Sequence, residues 1–183
     1  AADGVRKGLL QDTDLLKSIG TSVWVATWVT VLSVLVGTTN AFLLERVDFK
    51  AKAALSMLML APLVIPGVIL GISILAFASR LAQFADDTFG LELDFLRPGL
   101  GLVILGQFSY IVAIATLTIS ARLKRFDRTL EDAALNLGAT PATTFWTITL
   151  PYLKPALLGS AALSFLMSFE NFNTTLIYFS KLL

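Results

Sequence analysis

Three acids, Glu131, Asp132 and Glu170, are the side chains whose setting in this sequence suggests chemistry. Glu131 and Asp132 fall in the first turn of a short predicted helix. Carboxylates there complement the helix dipole and can pair with basic groups of a partner. Glu170 is flanked by Phe169 and Phe172. An acid framed by aromatic rings suits a cation, through charge and cation–π contact. The plainer reading of Glu170 is an interfacial acid paired with a neighbouring Lys or Arg. Gln107 and Tyr110 place polar groups inside an apolar run. Most such groups bond an adjacent helix; the alternative is contact with a solute on its way through.

Other chemistry is excluded by residue type. The sequence contains no His and no Cys, which removes thiol chemistry, His-based triads and the usual zinc sites. No nucleophile–base pair or metal cluster stands out, so there are no catalytic or metal-ligating candidates. The phosphate-binding pattern Gly-x-x-x-x-Gly-Lys-[Ser/Thr] does not occur. The chain is therefore expected to be no enzyme in its own right and to bind no cofactor. A formal charge of +1 gives no reason to expect nucleic acid.

The elements that must position these residues are membrane spans. The 183 residues are 56% hydrophobic and 15% charged, with a mean hydropathy of +0.78. A soluble domain carries about 25% charged residues. Residues 18–44 form an uncharged run of 27 residues, about 40 Å as a helix and enough to cross a bilayer. Trp24 and Trp28 share one face of it and suit an interfacial belt. Uncharged runs recur at 53–79 and 98–121, and a shorter fourth span is expected at 151–169. The second contains Pro62 and Pro66, which predict a kink or a flexing segment. Residues 1–17 read as a polar lead-in and 80–97 as an acidic loop. The fold class is thus an all-α membrane protein, a polytopic helical bundle forming one domain over 1–183. Without an initiator Met or a signal-peptide pattern, the chain is expected to be part of a longer subunit with a further span at each end.

Between the third and fourth spans lies a polar island, 122–150. Thr129 with Asp132 three residues on spells a capping box, which predicts a helix from Leu130. Gly138 can supply the left-handed turn that ends it. Thr140 followed by Pro141 predicts a second helix start. Leu150-Pro151 is expected to break the pattern again. Two short capped helices at an angle would make a lever suited to a groove in another protein.

These residues carry a resemblance to the permease subunits of type I binding-protein-dependent ABC importers. Their cytoplasmic EAA loop has an acidic residue, two alanines, a glycine, and a later Ile-x-Leu-Pro at fixed spacing. Asp132, Ala133, Ala134, Gly138, Ile148, Leu150 and Pro151 fall on every position, with Asp in place of the usual Glu. The stretches 61–71 and 120–134 resemble the spermidine/putrescine branch. The resemblance implies a bacterial cytoplasmic (inner) membrane protein working with an ABC ATPase dimer, a second permease subunit (a different one rather than a copy) and an external solute-binding protein. It also implies that Thr129, Leu130, Glu131, Asp132, Ala133, Ala134, Asn136, Gly138, Ala139 and Pro151 meet the ATPase. Gln107, Tyr110, Phe169 and Glu170 are the candidates for the solute path.

Charge bias gives the same orientation. The side holding 45–52, 122–144 and Lys154 carries eight Lys/Arg against six on the other, and the denser side should be cytoplasmic. The same machine carrying another small solute, such as an amino acid derivative, is the alternative. A secondary transporter would favour acids buried inside spans, and the three long runs contain none.

Overall fold

The computed structural model describes residues 13–91, 93, 96 and 99–171. Among these residues every regular element is helical. Helix α1 spans Thr13–Arg46, α2 Lys52–Val64, α3 Gly67–Phe89, α4 Leu100–Leu123 and α5 Thr129–Asn136. A single turn, α6 (Pro141–Thr144), runs through a π-helical segment (Phe145–Thr149) into α7 (Leu150–Phe169). Among the described residues four helical stretches are long and apolar enough to cross a membrane: Ile19–Arg46, Ile69–Phe89, Leu100–Leu123 and Pro141–Phe169. Their number agrees with the sequence reading, but two sets of boundaries do not.

The run 53–79 is not one span. It breaks at Ile65, whose ψ of 130° is extended. Pro66 disfavours the helical region for the residue before it, so the helix ends there and restarts at Gly67. The spanning helix α3 then continues ten residues past Ser79, carrying Arg80, Asp86 and Asp87 in what reads from sequence as a loop. Gly90, at φ 61°, closes it. The polar lead-in is likewise helical from Thr13.

The fourth span is also longer than expected, because Leu150-Pro151 does not stop the helix. A proline lacks an N–H, and its ring crowds the carbonyl four residues back. The chain widens instead: the Leu150 N–H donates to the Phe145 carbonyl, five residues back. One turn of π-helix relieves the clash without ending the helix.

Helices α1, α4 and α7 form the centre of the bundle, with α2 and α3 lying along α4. The first core cluster joins Val25 and Val29 of α1, Leu75 and Ala78 of α3, and Leu102, Val103 and Ile111 of α4. Small side chains set the helix spacing. A Cβ built on Gly37 of α1 would lie 2.9 Å from the Ala115 Cβ and 3.0 Å from the Thr116 backbone N. Helix α7 turns Ser160, Ser164 and Ser168 inward, four residues apart on one face. The outer faces stay apolar: Met57, Leu58, Ile72, Phe77 and Leu158 are all exposed, as a lipid-facing surface requires.

Candidate functional site

Helix α5 sits across one end of the bundle, where α1 and α4 finish and α6 begins. Its start is capped differently from the sequence expectation. Thr129 is the first helical residue rather than the cap, and no capping-box bond to Asp132 forms. The Asp127 carboxylate instead accepts from both the Thr129 backbone N–H (3.0 Å) and its hydroxyl (2.8 Å). These two bonds hold the Asp127 carboxyl below its ordinary range. The helix end is as expected. Gly138 adopts φ 90°, Ala139 N–H donates to the Ala134 carbonyl and Gly138 N–H to the Leu135 carbonyl. Those are the two bonds of a Schellman motif. The next cap also forms: the Thr140 hydroxyl accepts from Thr143 N–H at 3.2 Å, with Pro141 first in the helix.

The two adjacent acids part company. Glu131 turns into the bundle, where both carboxylate oxygens receive the Arg46 guanidinium, at 2.8 and 3.0 Å. The Thr149 hydroxyl, in the π-helical segment, donates to the same carboxylate. Glu131 is therefore spent within the chain and is not available to a partner's basic groups, contrary to the sequence expectation. Asp132 is exposed and keeps that possibility. One carboxylate thus ties α5 to the last turn of α1 and to the base of α7.

Arginines brace the same corner. Arg128 donates to the Glu45 backbone carbonyl at 2.7 Å. Arg46 lies over the Phe126 ring at 5.2 Å and Arg122 over the Tyr152 ring at 4.1 Å. Phe126 and Tyr152 meet edge to face, with centroids 5.0 Å apart. Leu123, Phe126 and Leu153 form the small core beneath them.

The outward face of this corner is apolar. Leu130, Leu137 and Trp146 are exposed, Leu137 at 88%. Ala133 and Asn136 are exposed beside them, while Ala134 and Ala139 are half-covered. Pro151 is exposed on the continuing helix. Ten ATPase-coupling candidates thus cluster at one end, and all but Glu131 and the half-covered alanines are open to the surface.

Three of the four solute-path candidates meet at the opposite end of the bundle. A cleft of about 160 Å³ there is lined by Gln107, Phe169 and Glu170, with Thr21, Ser22 and Ser168. Gln107 is buried and accepts the Ser168 hydroxyl, joining α4 to α7, so it bonds a neighbouring helix as the plainer reading held. Glu170 is exposed, and Phe169 stacks on Phe165 at 6.1 Å. Tyr110 is not in the cleft; it packs against the first core cluster. Phe172 lies outside the described residues. No group of three or more potential metal ligands forms among the described residues.

Comparison with known proteins agrees with the geometry. The family described as binding-protein-dependent transport system inner membrane component matches residues 30–182, and the chain belongs to it. The chain is 32% identical to the putrescine transport system permease protein PotI of Escherichia coli (strain K12), over 89% of this chain and 56% of that protein. It is 37% identical to the Fe(3+)-transport system permease protein FbpB 2 of Haemophilus influenzae, over 74% of this chain and 23% of that one. A molybdenum transport system permease protein, ModB of Mycobacterium bovis, is 31% identical over 86% and 59%. The chain spans little more than half the length of the first of these relatives. A multi-pass membrane protein is the class that fold and family define together.

Proposed function

We propose that the chain is the transmembrane subunit of an ATP-driven ABC importer, forming half of a solute pathway. Its α5 docks on a separate ATPase. The observation that carries this reading is the combination at α5. A helix of eight residues shows Leu130, and Leu137 at its C-cap, outward while Glu131 clasps it to α1 and to the base of α7. Exposed leucines on a short helix past the ends of the spans call for a partner. A clasp to two spans lets a displacement of that helix move both. When two ATPase subunits close on ATP, the α5 helices would approach each other and the spans would rock as rigid bodies. ATP and Mg belong to the ATPase. A second, different permease and an external binding protein complete the assembly. The α5 end faces the cytoplasm, as the Lys/Arg bias directs.

Polyamine is the solute that fits best. The relatives named for putrescine support it, and so does an exposed carboxylate beside Phe169 at the mouth of the far cleft. Relatives named for Fe(3+) and molybdenum favour the alternative of another small solute.

The test is co-purification of the full-length subunit with its gene neighbours, followed by ATPase assays with candidate solutes and the binding protein. A stable complex stimulated by loaded binding protein is the expected result, and the stimulating ligand names the solute. A subunit that purifies without any ATPase would overturn the proposal. For orientation, a cysteine at Asp87 should label from outside the cell; labelling only from inside reverses it. An uptake constant for putrescine unchanged in Glu170→Gln would remove the solute role of Glu170.

A further inference from the structure

A cleft of about 420 Å³ opens between α2 and the C-terminal half of α4, at the same end of the bundle as α5. One side of it is apolar, formed by Met59 and Leu60 of α2 and Leu117 of α4, while the buried Thr116 and Ser120 line its floor. Its mouth carries Lys52, the first residue of α2, and Lys124, just past the end of α4. Both ammoniums are loosely engaged. Lys124 stands 3.6 Å from Glu45, which also lines the cleft, and Lys52 stands 3.2 Å from the fully exposed Asp48. The Lys52–Asp48 pair faces solvent, and such pairs exchange readily for another anion; the Lys124 side chain is itself open at 67%, over a Glu45 side chain only 16% exposed. Ser120 is 6% exposed, and its hydroxyl has no hydrogen-bond partner among the described residues.

We propose that this cleft holds one anionic phospholipid, with its phosphate between Lys52 and Lys124 and an acyl chain along Met59, Leu60 and Leu117. The order of groups is that of a bilayer boundary. Cations stand where spans α1 and α4 end, and apolar side chains follow toward the membrane centre. Basic pockets between spanning helices suit anionic head groups for this reason. A free anion would have no use for the apolar wall. The surroundings favour lipid over a protein occupant. Helix α2 buries none of its residues, and Met57, Leu58 and Val64 of the same helix are among the most exposed apolar side chains of the described residues. The proposal needs only that the chain cross a bilayer, and it stands apart from the ATPase reading.

The test is native mass spectrometry of the full-length subunit in its purified complex, delipidated and then offered phosphatidylglycerol, phosphatidylcholine or soluble glycerophosphoglycerol. One phosphatidylglycerol per subunit should be retained, in preference to phosphatidylcholine. Lys52→Ala with Lys124→Ala should weaken retention roughly tenfold or more, and the double arginine variant should restore it. Leu117→Trp, which fills the cleft but leaves both cations, should lose the lipid as well and covers the case in which the double alanine variant fails to assemble. Equal retention in wild type and these variants, or equal retention of phosphatidylcholine, would overturn the proposal. Effective competition by glycerophosphoglycerol would replace the lipid with a free anion. A cysteine at Met59 that cross-links to the second permease would instead make the cleft a subunit interface, and the proposal would fall.

Discussion

Arg46 and Glu131 stand 85 residues apart in the chain and meet in a two-pronged ion pair, at 2.8 and 3.0 Å, between the last turn of α1 and the first turn of α5. Their side chains are only 18% and 22% exposed, so water screens the pair less than it would a surface bridge. The cation also suits the C-terminal end of α1, where the helix dipole is negative. If this pair carries motion between α5 and the spans, breaking it should uncouple ATP hydrolysis from transport while leaving α5 and its partner in place.

Glu131→Gln keeps the shape of the side chain but weakens the pair, and Arg46→Lys keeps the charge but loses the two-pronged geometry. Each should lower solute uptake by an order of magnitude, on the basis of roughly 1.5–3 kcal/mol for a charge-assisted hydrogen bond, while the ATPase still co-purifies. The swap Arg46→Glu with Glu131→Arg should recover part of the loss. Full uptake in Arg46→Lys and Glu131→Gln would show that the pair is only structural.

Thr149→Val removes the hydroxyl that links Glu131 to the π-helical segment, with little change in volume. The Arg46 link survives, so assembly should be unaffected. Solute uptake should fall severalfold, less than in Glu131→Gln. An equal or larger fall would place the main path of coupling through α7 rather than α1.

Gly138 holds φ 90°, with open space around its missing Cβ. Any L side chain there is strained in the backbone without clashing. Gly138→Ala should cost about 1–2 kcal/mol, read as looser ATPase association. Gly138→Asp should weaken it further by adding charge beside Leu137. Normal association in both would mean that the turn is not needed for docking.

Gly37 tests the bundle and not the coupling. Gly37→Val drives a branched side chain against the Ala115 Cβ and the Thr116 backbone. Overpacking of this kind costs typically 1–3 kcal/mol, and the thermal midpoint of the purified subunit should drop. Gly159 has open space around it, so Gly159→Val is the matched control and should not lower the midpoint.

Asp127 gives a pH dependence. Its carboxyl is held below the ordinary range by the two Thr129 bonds. The cap it provides is therefore complete above the unfolded carboxylate value and is lost as pH falls through the lowered folded value. Between pH 5 and 8 the start of α5 should not change, and the protection of the Thr129 amide, its exchange relative to the intrinsic rate at each pH, should fall only in stronger acid. Asp127→Ala should lower that protection at every pH.

Local signals in the sequence anticipated the structure well where the physics is local. Gly138, Thr140 and Pro141 are read from the chain because caps depend on neighbours a few residues away. Asp127 was missed because Thr129 offered a second cap spelling two residues on, and residue preference alone does not choose between them. Pro151 was read as a stop because proline breaks helices in water. Here the chain widens into a π turn whose Thr149 bonds Glu131, so the irregularity is built into the site. Pro66 was read as a kink inside one span, yet the extended Ile65 before it splits the run into two helices. The sequence leaves Glu131 to pair with a partner's basic groups because Arg46 lies on another span; nothing in the spacing of two residues so far apart announces their contact.

The most direct test of the coupling account is a cysteine at Leu137, the most exposed apolar residue of the α5 corner, in the full-length complex. Oxidative or short bifunctional cross-linking should join it to the co-purified ATPase, and ATP binding should change the yield. A Leu137 cysteine that labels freely with a water-soluble reagent in a transporting complex, and never cross-links to the ATPase, would contradict the account.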